Sequence, residues 1–321
     1  MLWHIGFLIG LSVASAVSAQ TPRTMFVTVE KDVALEVLDW GGVGVPVVLM
    51  AGRGQTAHSF EGFAPTLAAH YRVVGITRRG FGASSKPSSG YLADDLADDV
   101  LAVVDSLRLV KPVLVGHSLA GQELSSIGSR HPEKVAGLVY LDAAYAYAFY
   151  DTTRGDFRAD VAVLKRRLER LQQAANRGDV AQLDSLLETL LSQELPALRR
   201  DLTAMQRALS LGQFPRGEPL LPPVRTGIDG AIDDGFERYT NIRSPVLAIF
   251  ALRDVPVPIT TDRALMIEWL QSDRGAAGTF ARGVPQAQIV ILPNADHFVF
   301  DSGRTETLAA MRGFIAGLVR R

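Results

Sequence analysis

An α/β fold, in which a mostly parallel sheet carries helices on both faces, is the architecture this sequence predicts. Two observations carry the prediction. Short apolar runs alternate with amphipathic stretches over most of the chain, and strands alternating with helices form parallel sheets. Runs such as Val45 to Met50 and Val113 to Val115 have no period-two polarity, as expected of strands buried on both faces.

Residues 25–29 and 33–39 read as strands around Glu30-Lys31-Asp32 and predict a leading hairpin. A strand at 45–50 follows, then a helix over 57–70 with apolar Phe60, Phe63, Leu67 and Ala68, then a strand at 72–77. Leu92 to Leu107 is a helix by its stripe of Leu92, Leu96, Val100, Val103, Val104 and Leu107. Its acidic pairs Asp94-Asp95 and Asp98-Asp99 suit the start of a helix, where they complement the dipole on a solvated face. Strand 112–115, helix 119–130 and strand 135–142 continue the alternation. It resumes with strand 245–251, helix 262–272, strand 287–292 and helix 305–320.

Between the two parts lies a different stretch, residues 144–243. Residues 160–175, 180–192 and 195–211 carry leucines and other apolar residues at helical spacing, with Gly178 and Asp179 as a stop and a fresh N-cap. Residues 212–235, rich in Gly and Pro, read as loop. The expected organisation is a core of 20–143 and 244–321, interrupted by a helical cap over the carboxyl edge of the sheet, where open α/β sheets bind ligands.

Composition narrows the function classes. With 33 Lys and Arg against 34 Asp and Glu, the net charge is -1. No single-sign field favours nucleic acid or an anionic membrane as a partner. The absence of cysteine removes disulfides, thiolate-bound zinc and a thiol nucleophile. Leu2 to Ala19 is apolar or small, ends in Val17-Ser18-Ala19 and is short for a membrane span, although no Lys or Arg precedes it. A cleaved export signal over 1–19 is expected, with a mature chain from Gln20 in a periplasmic or secreted location and no stable membrane insertion; an uncleaved anchor or an ordinary N-terminal helix are the alternatives.

The sharpest chemical feature is Val113-Leu114-Val115-Gly116-His117-Ser118-Leu119-Ala120-Gly121. A buried strand, a serine and an immediate helix match the nucleophile elbow G-x-S-x-G, whose tight turn lifts the hydroxyl above the sheet. Ala120 stands at the last glycine position, and alanine is small enough to fit there. A serine needs a base. Of the mature histidines, His70 and His131 fall at helix ends and His117 is the variable elbow position, expected to point elsewhere. His58 could line a pocket or cap a helix. His297, in Leu292-Pro293-Asn294-Ala295-Asp296-His297, follows the last strand at the edge where Ser118 belongs. The imidazole in turn needs a carboxylate. Asp254 follows strand 245–251 and completes the order Ser118, Asp254, His297. Asp142, ending the preceding strand, is its rival by the same geometry, and Asp254 is favoured because the template takes its acid from the later strand. Asp296 adjoins His297 too closely to reach its ring. Two backbone N–H groups should face a developing oxyanion: that of Leu119 and, from Ala51-Gly52-Arg53-Gly54-Gln55, that of Arg53. The Arg53 side chain could meet a substrate carboxylate or point to solvent.

With these residues in place the chain resembles the α/β-hydrolase superfamily from about Met25 to its end. Arg78-Arg79-Gly80-Phe81-Gly82-Ala83-Ser84 is similar to the family's D-x-R-G-x-G-x-S segment, with Thr77 where the family usually has Asp. Ala51 replaces the usual histidine of the oxyanion loop. The resemblance implies an eight-stranded, mostly parallel sheet, a helical cap between strands six and seven, and no cofactor or metal. Epoxide hydrolases and haloalkane dehalogenases, which use an aspartate nucleophile, do not fit Ser118.

The expected function is hydrolysis of a small-molecule carboxylic ester. Cleavage of a C–C bond, lactone or amide by the same residues, or a low-turnover ligand receptor, are the alternatives. Tyr145, Tyr147, Phe149, Tyr150, Phe236 and Tyr239 flank the cap junctions and are candidates for a pocket lining.

Overall fold

A computed structural model describes residues 21–211, 224–252, 265, 267, 268, 271 and 275–320. The proposed signal at 1–19, Asp254 and most of the predicted helix 262–272 lie outside the described residues.

The strands are β1 Arg23–Glu30, β2 Val33–Gly41, β3 Pro46–Met50, β4 Arg72–Ile76, β5 Val113–His117, β6 Gly137–Leu141, β7 Val246–Ala251 and β8 Ala287–Leu292. They form one eight-stranded sheet in the order β1-β2-β4-β3-β5-β6-β7-β8. The pairs β1–β2 and β2–β4 are antiparallel, and every pair from β4 through β3 to β8 is parallel.

Among the described residues the longer helices are α1 Ala64–Ala68, α2 Ala93–Ser106, α3 Gly121–Arg130, α4 Phe157–Arg177, α5 Val180–Thr189, α6 Leu195–Ser210, α7 Gly227–Asp234, α8 Ala276–Gly283 and α9 Arg304–Val319, with one further α-helical turn at Val299–Ser302. Both sheet faces are covered, which is why the parallel strands read as unbroken apolar runs. Leu114 of β5 packs on the side of α2, α3 and α8 with Val100, Val104, Leu124 and Phe280. Val113 and Val115 pack on the other side with Leu67 of α1 and Leu308, Met311 and Phe314 of α9.

Three local readings change. The helix expected over 57–70 is divided into a 3₁₀ turn at Ala57–Phe60 and the short α1. Pro65 sits in the first turn of α1, where its missing N–H costs nothing, so it starts a helix instead of continuing one. Asp99 is not on a solvated face: it is buried and receives Nε and Nη2 of Arg79, both at 2.6 Å. Finally, α7 lies inside the stretch expected to be loop. Its Ile232 is fully buried and its Ile228 partly so, and tertiary packing of that apolar pair outweighs the low helix propensity of Gly227 and Gly230.

Elements α4 to α7 all lie between β6 and β7 in the chain. The α4–α5 junction is as expected, with Gly178 left-handed at φ 68° and the Asp179 side chain accepting from Gln182 N at 3.0 Å. No described helix is long and apolar enough to cross a membrane. Because β3 lies between β4 and β5, the chain reverses direction across the sheet there. A crevice is therefore expected beyond the carboxyl ends of β3 and β5.

Candidate active site

Ser118 follows β5 directly and has φ 51°, in the left-handed region that a non-glycine residue adopts only under constraint. The constraint is steric closeness on all sides. A β-carbon on Gly116 would stand 2.9 Å from Leu124 Cδ1 and 3.0 Å from Ala120 Cβ. A β-carbon on Gly121 would run into the carbonyl of Ala143. The position that must lack a side chain is therefore Gly121, while Ala120 is accommodated and fully buried.

The neighbouring strand supplies the carboxylate. His117 of β5 pairs with Leu141 of β6 in parallel register, so Ser118 and Asp142 leave adjacent strands at the same level, about 5 Å apart in strand spacing. Asp142 also has positive φ, 45°, and is buried. Its Oδ1 accepts from Ala251 N at 2.9 Å and from the Tyr145 hydroxyl at 2.6 Å. Its Oδ2 lies 2.7 Å from Nδ1 of His297. The structure thus brings His297 to Asp142, the rival carboxylate. Asp254, favoured on chain order, is outside the described residues.

His117 does not point away from the site. It is buried, its ring centroid is 4.5 Å from that of His297, and its Nε2 donates to the His297 backbone carbonyl at 2.9 Å. Burial first, and the His297 charge second, bring its pKa down to about 4, so at neutral pH it is an uncharged prop. His58, by contrast, is half-exposed and engaged with Glu61 at 2.7 Å and Glu36 at 3.3 Å. Asp296 accepts from Phe298 N at 3.0 Å and so shapes the turn that carries His297.

Tyr147 is the site residue that sequence reasoning underrated. Burial above all, then the Asp142 charge, pushes its pKa up, with Ser118 and Arg53 near enough to act in the opposite sense, so the phenol is neutral. Its ring centroid lies 6.4 Å from that of Phe236, tilted by 30°. No motif announces it, because it reaches Ser118 from the chain beyond β6.

The family model described as alpha/beta hydrolase fold matches residues 45–303. This chain belongs to the α/β-hydrolase fold family. It is 25% identical over 277 residues to the 2-(acetamidomethylene)succinate hydrolase of Mesorhizobium japonicum, covering 85% of this chain and 89% of that one. A putative non-heme haloperoxidase of Mycobacterium phage D29 is 30% identical over 122 residues, which is 38% of this chain and 44% of that one. Among solved structures, a putative aryl esterase from Burkholderia cenocepacia superposes with a TM-score of 0.58 at 19% identity, covering 93% of this chain and 100% of that one.

Within this α/β-hydrolase the loop after β3 is held against the elbow. A β-carbon on Gly52 would lie 3.0 Å from Ser118 Cβ and from His117 Nδ1, so glycine is what allows the loop to approach. Arg78, buried and ion-paired to Glu123, donates to the carbonyls of Ala51 at 3.0 Å and Gly52 at 3.3 Å. Leu119 is the second residue of the 3₁₀ turn Ser118–Ala120 and is buried; first-turn N–H groups have no partner within their own helix. Thr77, where the family usually has Asp, accepts from Ala57 N at 3.0 Å and donates to buried Glu36 at 2.7 Å. The Arg53 side chain neither points to solvent nor stands open to an anion: Nη1 donates to Asp229 Oδ1 at 3.1 Å and Nη2 pairs with Asp233.

Proposed function

We propose that this α/β-hydrolase is a serine hydrolase that cleaves a small-molecule carboxylic ester through an acyl-enzyme. The observation that carries the reading is the strained turn at Ser118, one strand away from the Asp142–His297 pair. His297 takes the Ser118 proton as the hydroxyl attacks the ester carbonyl, and returns it to the departing alcohol. Asp142 fixes the tautomer with Nδ1 protonated, leaves Nε2 as the base, and offsets the imidazolium charge. The N–H groups of Leu119 and Arg53 receive the negative oxygen. Water then attacks the acyl-enzyme by the same steps in reverse. The insertion between β6 and β7 serves as the cap.

One feature supports a small substrate. A cavity of about 410 Å³, lined by Tyr145, Phe149, Arg154, Thr279 and Phe280, adjoins the tyrosine that anchors Asp142 and lies in the range of small-molecule sites. A labelling experiment with a fluorophosphonate tests the reading: wild type should be labelled and Ser118→Ala should not. Equal labelling of both would defeat it. A second reading keeps these residues and changes the bond to an amide, favoured by the relative whose name carries an acetamido group; a paired panel of esters and amides separates the two. The same proposal includes export, tested by N-terminal sequencing of chain recovered outside the cytoplasm, which should begin at Gln20.

A further inference from the structure

Arg53 stands in the middle of the loop after β3, between Gly52 and Gly54, the latter at φ 70°. The flanking glycines give this backbone no side chains with which to anchor itself. Arg78 holds the carbonyls of Ala51 and Gly52, and Gln55 Oε1 accepts from Gly52 N at 3.2 Å; at Arg53 itself the tie is its guanidinium, which reaches 176 residues along the chain to α7. Nη1 donates to the Asp229 backbone oxygen and to Asp229 Oδ1, both at 3.1 Å, and Nη2 pairs with Asp233 Oδ1. The other oxygen of Asp233 pairs with Arg225 at 3.1 Å. Asp229 and Asp233 are four residues apart and so share one face of α7.

An adjacent face of the same helix serves Leu119. Ile228 and Ile232 belong to an apolar cluster with Leu119, Leu96, Tyr91 and Phe236. Gly80, in the loop after β4, lies so near that a β-carbon there would stand 2.8 Å from Ile228 Cγ2. One short helix from the insertion therefore touches both residues whose N–H groups face the oxyanion: Leu119 by packing, Arg53 by charge.

We propose that α7 sets the geometry of the oxyanion hole, with Asp229 and Asp233 as positioning residues that hold the Arg53 backbone N–H in place. The inference rests on Arg53 N–H being an oxyanion donor. It also gives the Arg53 side chain a role other than substrate recognition, since its charge is already met by two carboxylates. The contacts are partly exposed, with side-chain exposures of 21% for Arg53, 42% for Asp229 and 25% for Asp233. Their contribution to overall stability is therefore small, whereas a displacement of about 1 Å at a reacting group can lower turnover about a hundredfold.

The test compares wild type with Asp229→Asn/Asp233→Asn and with Asp233→Glu, using a p-nitrophenyl ester and hydrogen-exchange mass spectrometry of the peptide spanning Ala51 to Gln55. In the double variant kcat should fall about ten- to a hundredfold with KM within about threefold, and the peptide should exchange faster. Asp233→Glu, which keeps the charge, should recover most of the kcat. An unchanged kcat, a raised KM at constant kcat, or unchanged exchange of that peptide in a folded double variant would each overturn the proposal. Failure of the esterase reading has a different signature: wild type would neither turn over the ester nor label at Ser118, and the exchange arm would still decide whether α7 holds the loop.

Discussion

Nδ1 of His297 lies 2.7 Å from Oδ2 of Asp142, a carboxylate whose other oxygen is already held by Ala251 N and the Tyr145 hydroxyl. Three donors on a buried carboxylate fix the direction from which the imidazole is addressed, and with it the tautomer. Asp142→Asn should keep the geometry but present the wrong donor, lowering kcat by about 10⁴-fold. Steady-state kinetics of Asp142→Asn beside Asp254→Asn checks this. A large loss in the Asp254 variant alone would transfer the acid role to the later strand.

Tyr147→Phe removes the phenol hydroxyl beside Ser118 without opening a cavity. A neutral polar contact contributes about 0.5–1.5 kcal/mol, so kcat/KM should fall about two- to tenfold. An unaltered kcat/KM would mean that the phenol is a pocket wall only.

Gly121→Ala should not yield folded protein, because its β-carbon would collide with the Ala143 carbonyl, which is backbone and cannot move aside. Ala120→Gly should fold, losing about 1 kcal/mol of helix-start stability. Thermal unfolding of the two variants distinguishes which elbow position requires glycine.

His117 gives stability a pH dependence whose sign can be worked out. Its pKa is about 4 in the folded chain against an ordinary 6.5, so the unfolded state binds the extra proton. The stabilisation is complete above pH 6.5 and is lost as pH falls toward 4, on the order of 3 kcal/mol in all. Urea titrations between these limits should show a shallower slope for His117→Gln than for wild type. Parallel slopes would show that His117 is not the group responsible.

Local patterning along the chain is enough to specify the sheet and the edge at which the candidate site lies. Parallel strands buried on two faces must be apolar throughout, so β3, β5, β6 and β7 announced themselves. A serine between a strand whose penultimate residue is glycine and an immediate helix has little choice of conformation, and Ser118 takes φ 51°. Tertiary structure decided what depends on contacts distant in sequence. Asp142 meets His297 across 155 residues, and no local pattern ranks one strand-end carboxylate above another. His117 props the same loop from behind because Phe298 and Phe300 close around its ring. The α7 helix forms in a glycine-rich stretch because the core offers a place for Ile232, and the same docking delivers Asp229 and Asp233 to Arg53. Local propensity can nominate a strand or a turn; only the packed molecule chooses which charge meets which.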